Sequence, residues 1–424
     1  MFLEKEGKLI YSYDGETVCI EAWGKDALRV RATKNRSFTG RDWALEAKDA
    51  HAGEVEIFED PSAKGGAFAN MYEGTDTSYG KITNGKLHAV IDSGSVITFY
   101  HEDGRVLLKE HFRRLRDEES MPLNIMGREY SNGVGDNFRI VARFVARKGE
   151  KIFGMGQYQQ HELDLKGCML ELAQRNSQVS VPFYLSSIGY GFLWNNPGVG
   201  QVMFANNGTE WVTESGKEID YLVIAGDTPA EIEENYMTLT GKPPMMPEYG
   251  MGFWQCKLRY WNQEQLLSVA RKYKELGVPL DVIVVDFFHW TKQGEFKFDP
   301  KYWPDVPGMC RELKEMGIQV VVSVWPTIDI YSENFEEMKE KGYLVRTEHG
   351  VPLTMLCGGN EVFFDATNPD ARTYVWEKIK KNYYDQGAKL FWLDVAEPEY
   401  SVYDFKNYRY QLGSVQEVGN IYPK

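Results

Sequence analysis

Residues 388–399 read AKLFWLDVAEPE. The continuous apolar run Leu390 to Leu393 lacks the alternation of a half-solvated strand. It predicts a strand buried on both faces, as in parallel sheets, spanning Ala388 to Leu393 and ending at Asp394. Working back along the chain, the same pattern recurs. Gly250 to Gln255, Leu280 to Val285 and Gln319 to Trp325 read as strands, and the last two are strongly apolar. Between them lie helical signals. Asn262 with Gln265 has capping-box spacing ahead of a helix running to about Gly277. Pro304 to Met316 stops at Gly317, Ser332 caps a helix to about Lys341, and Asn368-Pro369 opens a helix that Gly387 ends. Residues 287–303 form a long aromatic loop. Alternating strands and helices make this half α/β.

Residues 1 to about 235 carry a different pattern. Leu28 to Ala32 alternates with Arg29 and Arg31, as a half-buried strand would. His88 to Ile91, Val96 to Tyr100 and Val106 to Leu108 are joined by Asp92-Ser93-Gly94 and Glu102-Asp103-Gly104-Arg105, which reads as successive hairpins. Short strands recur to Tyr221 to Ile224, and together they predict a β-sandwich. Residues 35–80 read as loops or an edge excursion. Thr228 to Leu239 reads as helix, and the proline-rich stretch 241–247 marks a boundary. The domains are therefore expected at 1–235 and 236–424.

Four strands can be counted in the second half, whereas a (β/α)8 barrel needs eight. The alternatives are an open four-stranded sheet or the first half of a barrel. An open edge of buried apolar strands invites aggregation, which favours a chain stopping partway round a barrel.

The 424 residues are 43% hydrophobic and 26% charged, enough to build cores, and the net charge is −14. That charge repels nucleic acid and acidic membrane surfaces, and no basic block offsets it. Cys19, Cys168, Cys256, Cys310 and Cys357 are odd in number and scattered, so neither a zinc knuckle nor a disulfide framework is legible. A reducing, cytoplasmic compartment fits. MFLEKEGK has no apolar core of a secretory signal. Aromatic content is 14%, with 11 Trp and 25 Tyr. Apart from core packing, such rings suit the apolar faces of sugars.

Ligands of α/β folds bind at the carboxyl ends of the strands. Three ends are informative: Asp286-Phe287-Phe288-His289-Trp290, Trp325-Pro326, and Asp394 to Glu399. Two strand-end acids, each flanked by aromatic residues, suit a sugar site. Glu397 and Glu399 make the region densely acidic. A divalent-cation site is the alternative, but there is no DxDxDG-type loop, and His161-Glu162 lacks the second His of HExxH. Neither metal nor organic cofactor is expected. His289 reads either as a loop histidine on Trp290 or as a hydrogen-bond partner of a sugar hydroxyl. Gly154-Met155-Gly156 reads as a turn, and there is no phosphate loop or G-x-S-x-G elbow.

These strand ends resemble glycoside hydrolase family 31, in particular its α-xylosidase and α-glucosidase branches. FWLDVAEPEY resembles the family's nucleophile signature in its α-xylosidase-like wording. VVDFFHWTKQGEFKFDPKYWPD, GFWQCKLRY and VVVSVWPTID resemble its second, first and third barrel strands with their loops. FGMGQYQQHELDLKG and VPFYLSSIGYGFLWNNPG resemble its N-terminal, galactose-mutarotase-like β-sandwich, a loop of which helps close the site. The resemblance covers nearly the whole chain. It implies a β-sandwich followed by the first half of a (β/α)8 TIM barrel, about four β/α units. It implies that Asp394 is the nucleophile and Glu397 an acid near it. Asp286 would bind hydroxyls of the sugar, and Phe287, Trp325 and Trp392 would wall it. It also implies that the general acid/base and later strands lie beyond Lys424, so that this chain turns over little by itself. The implied substrate is a terminal α-linked sugar of an oligosaccharide or glycoside. Xylose is favoured by the bulk of Phe287, Phe288 and Trp325, against an α-glucosidase or transglycosylase. A non-catalytic carbohydrate-binding protein or inactive fragment is the reading from another class. A homo-oligomer is compatible with all of these.

Overall fold

The computed structural model describes residues 1–61, 77–115, 123–350, 360–398 and 404–424. It divides into two compact units, residues 1–173 with 177–243 and residues 174–176 with 244–424. The helix Pro229–Thr240, capped by the Thr228 side chain, buries Ile232 and Leu239 against Trp23, Leu222 and Ile224 of the first unit. It therefore stays whole, and the change of unit falls at Pro243/Pro244 rather than at 235/236. Proline there keeps the preceding residue out of the helical region.

Among the described residues, the first unit contains one nine-stranded, two five-stranded and one two-stranded antiparallel sheet. Leu28 and Val30 of the large sheet share a core with Ile82, Ala89 and Phe99 of the second and Phe144 and Trp211 of the third. The hairpins from residue 87 to 109 form as expected. Residues 35–80 are less irregular than expected. Glu54–Phe58 pairs with Tyr79–Asn84 inside a five-stranded sheet, and residues 62–76 lie outside the described residues. Gly154-Met155-Gly156 is not a turn. It is an irregularity within the strand Ile152–Gln157, and all three residues have positive φ.

Arg29 departs most from its sequence pattern. The period of two holds, since Leu28 and Val30 enter the sandwich core. The opposite face is covered rather than solvated, and Arg29 is 0% exposed. Its Nε and Nη2 donate to Asp220 at 3.0 and 2.6 Å, and Nη1 donates to Asp42 at 2.7 Å. Alternation reports which residues share a face, but not what covers the face.

In the second unit, strands β1 (Trp254–Gln255), β2 (Val282–Val285), β3 (Gln319–Val324) and β4 (Leu390–Leu393) are parallel and lie side by side in chain order. Helices α1 (Gln263–Glu275), α2 (Val306–Glu315), α3 (Phe335–Glu340) and α4 (Pro369–Ile379) occur between them. Right-handed crossovers between strands in sequential order put every helix on one face of the sheet. Packing agrees with this. Ile283, Val285, Val320, Val322 and Val324 pack with Leu266, Ala270, Met309, Leu313, Val375 and Ile379 of the helices. Val282, Val284, Val321 and Leu390 form a separate group with Tyr249. Trp254 and Trp392, from the two outermost strands, meet edge to face at 6.4 Å. A singly wound parallel sheet with a helical layer on one face is the first half of a (β/α)8 barrel, not an open doubly wound sheet.

Local differences have local causes. β1 is only two residues long because Glu248–Met251 is a helical turn. Asn334, not Ser332, precedes α3, and the Ser332 hydroxyl accepts from the Asn334 N–H at 3.3 Å. β4 is less buried than its composition implies, with Trp392 51% and Leu393 67% exposed. Among the described residues it pairs with β3 alone.

An unexpected hairpin joins Thr327–Asp329 to Glu361–Phe363, with Asp329 directly opposite Glu361. Glu361 is buried with Thr327 and Gln293, and Gln293 Nε2 donates to its Oε2 at 2.9 Å and to the Thr327 hydroxyl. Burial, with Asp329 adding to it, pushes the Glu361 carboxyl up to about 7, against the hydrogen bonds from Thr327 and Gln293.

Two outcomes follow for stability. Arg29→Ala leaves Asp220 buried without its cation and should cost about 3–5 kcal/mol in denaturant unfolding. Adding Asp220→Ala should recover part of that loss, whereas a fully additive double variant would show the pair to be uncoupled. For Glu361, the folded state retains a proton that the unfolded state has released between pH 4.5 and 7. Its contribution to stability is therefore present at low pH and is lost as pH rises through about 7. Glu361→Gln should raise Tm by about 2–4 °C at pH 8 and by less than half of that at pH 4.5. An equal shift at both pH values would contradict the assignment.

Candidate active site

The alternation of a strand determines what faces the barrel interior. Val282 and Val284 point inward, so the next residue of that parity is Asp286. Val321 points inward, followed by Ser323 and Trp325, and on β4 Leu390 is followed by Trp392 and Asp394. Asp286, Trp325, Trp392 and Asp394 thus share the inner face at the carboxyl ends. The register pairs Ser323 with Trp392 and Val324 with Leu393. Continued by one residue, it sets Trp325 beside Asp394.

The two aspartates are held by the same arrangement. Asp394 Oδ1 accepts the N–H of the next residue, Val395, at 3.0 Å, and Oδ2 accepts the Trp325 indole N–H at 3.1 Å. Asp286 Oδ1 accepts the N–H of Phe287 at 2.8 Å, and Oδ2 accepts the Cys256 thiol at 3.5 Å. In each case the second donor comes from the residue just past the preceding strand. Burial first, and then the Asp286 charge, push the Cys256 thiol up to about 11. It remains protonated at neutral pH, so it can donate. Val395 sits at φ +58°, which turns the chain away immediately after Asp394.

Aromatic rings line this end of the sheet. Phe287 lies 4.7 Å from Trp325 and 4.3 Å from Phe288, and Trp290 lies 6.3 Å from Trp325. Phe288 is 51% exposed at φ +66°, and its carbonyl accepts from Arg259 Nη1 at 2.8 Å. The Arg259 guanidinium lies 4.2 Å from the Trp261 ring and 5.1 Å from that of Phe288. Trp392 faces inward against Trp254 and borders a hollow of about 470 Å³ with Tyr249, Val321 and Leu390.

Not every expected site residue joins this cluster. Glu397 makes no hydrogen bond to Asp394, and its Oε2 is buried with no hydrogen-bond partner among the described residues. Glu399 lies outside the described residues. His289 is 3% exposed, and both its nitrogens are engaged within the protein, by the Asp286 carbonyl and the Tyr383 hydroxyl. It is therefore not free for a sugar hydroxyl. Burial pushes its pKa down to about 4, which leaves it neutral. Sequence reasoning missed Cys256, Arg259 and Tyr383. Cys256 could have been found, since it directly follows the last residue of β1 as Asp286 and Trp325 follow those of β2 and β3.

Two carboxylates on one inner face, beside the packed rings of Phe287, Phe288, Trp290 and Trp325, can bind a polyol and attack an electrophilic carbon. Comparisons with known proteins point the same way. A profile described as Glycosyl hydrolase 31 N-terminal galactose mutarotase-like domain matches residues 17–202, and one described as Glycosyl hydrolases family 31 TIM-barrel domain matches residues 243–424. An uncharacterized family 31 glucosidase of Pseudescherichia vulneris is 45% identical over all of this chain and 78% of its own length. Alpha-xylosidase A of Aspergillus niger is 30% identical over 96% of this chain and 58% of its own. The crystal structure of a family 31 α-xylosidase from a soil metagenome, complexed with xylose, superimposes with a TM-score of 0.91 at 50% identity. It covers 100% of this chain, which spans 61% of that enzyme. With both family domains matched in order and a relative this close, the chain belongs to glycoside hydrolase family 31.

Proposed function

We propose that this chain carries the nucleophile and sugar-binding residues of a retaining α-glycosidase acting on terminal α-linked xylose. The observation that carries the reading is the Asp394 carboxylate, on the inner face at a strand end and held by the Trp325 indole and the Val395 N–H. Both bonds fix the carboxylate in one orientation, as attack on an anomeric carbon demands. Asp394 displaces the leaving group and forms a xylosyl ester. Water then cleaves the ester and returns xylose with its original configuration. In enzymes of this type a second carboxyl group about 5–5.5 Å away protonates the leaving oxygen and later activates the water. Asp286 binds sugar hydroxyls through its remaining lone pairs. Phe287 and Trp325 present an apolar wall, which suits the C–H faces of a sugar and disfavours a hydroxymethyl group. Two α-xylosidases among the relatives support xylose, while the relative named a glucosidase supports glucose as the second reading.

An activated, fluorine-substituted α-xylosyl fluoride makes the first step independent of acid assistance. Incubated with the 424-residue chain, it should add one sugar to the peptide containing Asp394, read by mass spectrometry. Asp394→Asn should remain unlabelled, and a label on any other carboxylate would overturn the assignment.

Sugar size is tested at the wall. Phe287→Ala should reduce the xylose-over-glucose preference in binding by about tenfold, the scale of a single pocket contact. An unchanged ratio in calorimetry would remove Phe287 from the specificity argument.

A further inference from the structure

His289 lies three residues beyond Asp286 and is buried with Tyr383. His289 Nδ1 is 2.9 Å from the Asp286 carbonyl oxygen. A carbonyl oxygen only accepts, so Nδ1 carries the proton. Nε2 is then an acceptor in the neutral ring, and the Tyr383 hydroxyl donates to it at 2.8 Å. The tautomer is fixed by what each nitrogen faces.

This bond acts on the Asp286 carboxylate through a single peptide plane. The Asp286 carbonyl belongs to the same peptide as the Phe287 N–H, and the two point in opposite directions across a planar trans unit. Clamping the carbonyl therefore aims the N–H, which donates to Asp286 Oδ1 at 2.8 Å. Tyr383 reaches the histidine from a widened turn. The Asp385 N–H bonds to the Lys380 carbonyl, five residues back, at 2.8 Å. Such single π-type turns re-aim side chains and cluster at functional sites. Here the turn directly precedes β4, and the Tyr383 ring packs 5.2 Å from Phe298 and 6.3 Å from Phe391 of that strand.

We propose that Tyr383 and His289 form a positioning relay that sets the direction of the Asp286 carboxylate. Through it, the segment before the Asp394 strand is tied to the loop that holds the sugar. The inference rests on the reading of Asp286 as a ligand of sugar hydroxyls. Neither side chain touches the sugar, and both act through the Asp286–Phe287 peptide.

The test measures xylose affinity of the 424-residue chain by calorimetry, together with long-range ¹H–¹⁵N correlation of the histidine rings. Wild type should show a neutral, Nδ1-protonated His289 from pH 5 to 8. His289→Gln, which removes the Nδ1 donor, should weaken xylose binding about tenfold, the scale of one charge-assisted hydrogen bond, and Tyr383→Phe, which removes only the bond that steadies the ring, about threefold. His289→Asn, whose amide replaces the Nδ1 donor, should stay within about threefold of wild type. A purely packing role would instead make Asn as damaging as Gln and leave Tyr383→Phe silent. An Nε2-protonated ring, or unchanged affinity in both Tyr383→Phe and His289→Gln, overturns the relay. A wild-type chain that binds neither xylose nor glucose overturns the sugar reading beneath it, while the ring tautomer still reports on the relay geometry.

Discussion

Side chains on a strand alternate, and in the second unit one of the two resulting faces is already taken. The crossover helices occupy the outer face, where Ile283, Val285, Val320, Val322 and Val324 are buried against them. Only the inner face remains for chemistry, and only its carboxyl end lies clear of the apolar layer of Val282, Val284, Val321 and Leu390. A shift of β4 by one residue would turn Asp394 outward and bring Leu393 into the interior. The location of the Asp394 carboxylate, the proposed nucleophile, is therefore set by strand register, and register is set by the apolar runs that precede the acid.

Within that frame each aspartate is oriented locally and cross-strand at once. The N–H of the following residue holds one oxygen, and the residue that closes the preceding strand holds the other. Repeating the arrangement on β1/β2 and β3/β4 links the spacing of the two acids to the spacing of the strands. The donors differ in kind. A thiol is a weak, small donor, and the Asp286 carboxylate depends correspondingly on its peptide N–H. An indole is rigid and brings a large apolar face as well as its N–H.

The strand ends at Asp286 and Asp394 were legible because an unbroken apolar run stopping at an acid is a signal contained within a few residues. Two helix starts were legible for the same reason, with Asn262 and Asn368 both capping where expected. What could not be read depends on partners distant in sequence. Arg29 looks solvent-facing until Asp220, 191 residues away, is placed beside it. The hairpin pairing Thr327–Asp329 with Glu361–Phe363 has strands of three residues, too short for any period, separated by a long connection. In the sequence Tyr383 is one more aromatic residue in a helix. Only the extra residue in its turn rotates it toward His289, and neither composition nor period encodes that insertion.

Trp325 shows why pocket shape and reactivity are inseparable here. Its N–H holds Asp394 Oδ2 while its ring packs 4.7 Å from Phe287, the proposed wall of the sugar site. Phe287 in turn supplies the N–H that holds Asp286. A substitution that widens the pocket at Phe287 removes a surface against which the indole rests, and a rotated indole no longer aims its N–H at Asp394. A smaller residue at Trp325 enlarges the same wall and frees the carboxylate directly. On the proposed reading, the space left for a small sugar and the orientation of the Asp394 carboxylate are thus coupled through two rings. On that reading, a change in sugar size at this site has to preserve the indole's plane, which excludes Trp325 itself and limits position 287 to residues that still support the ring.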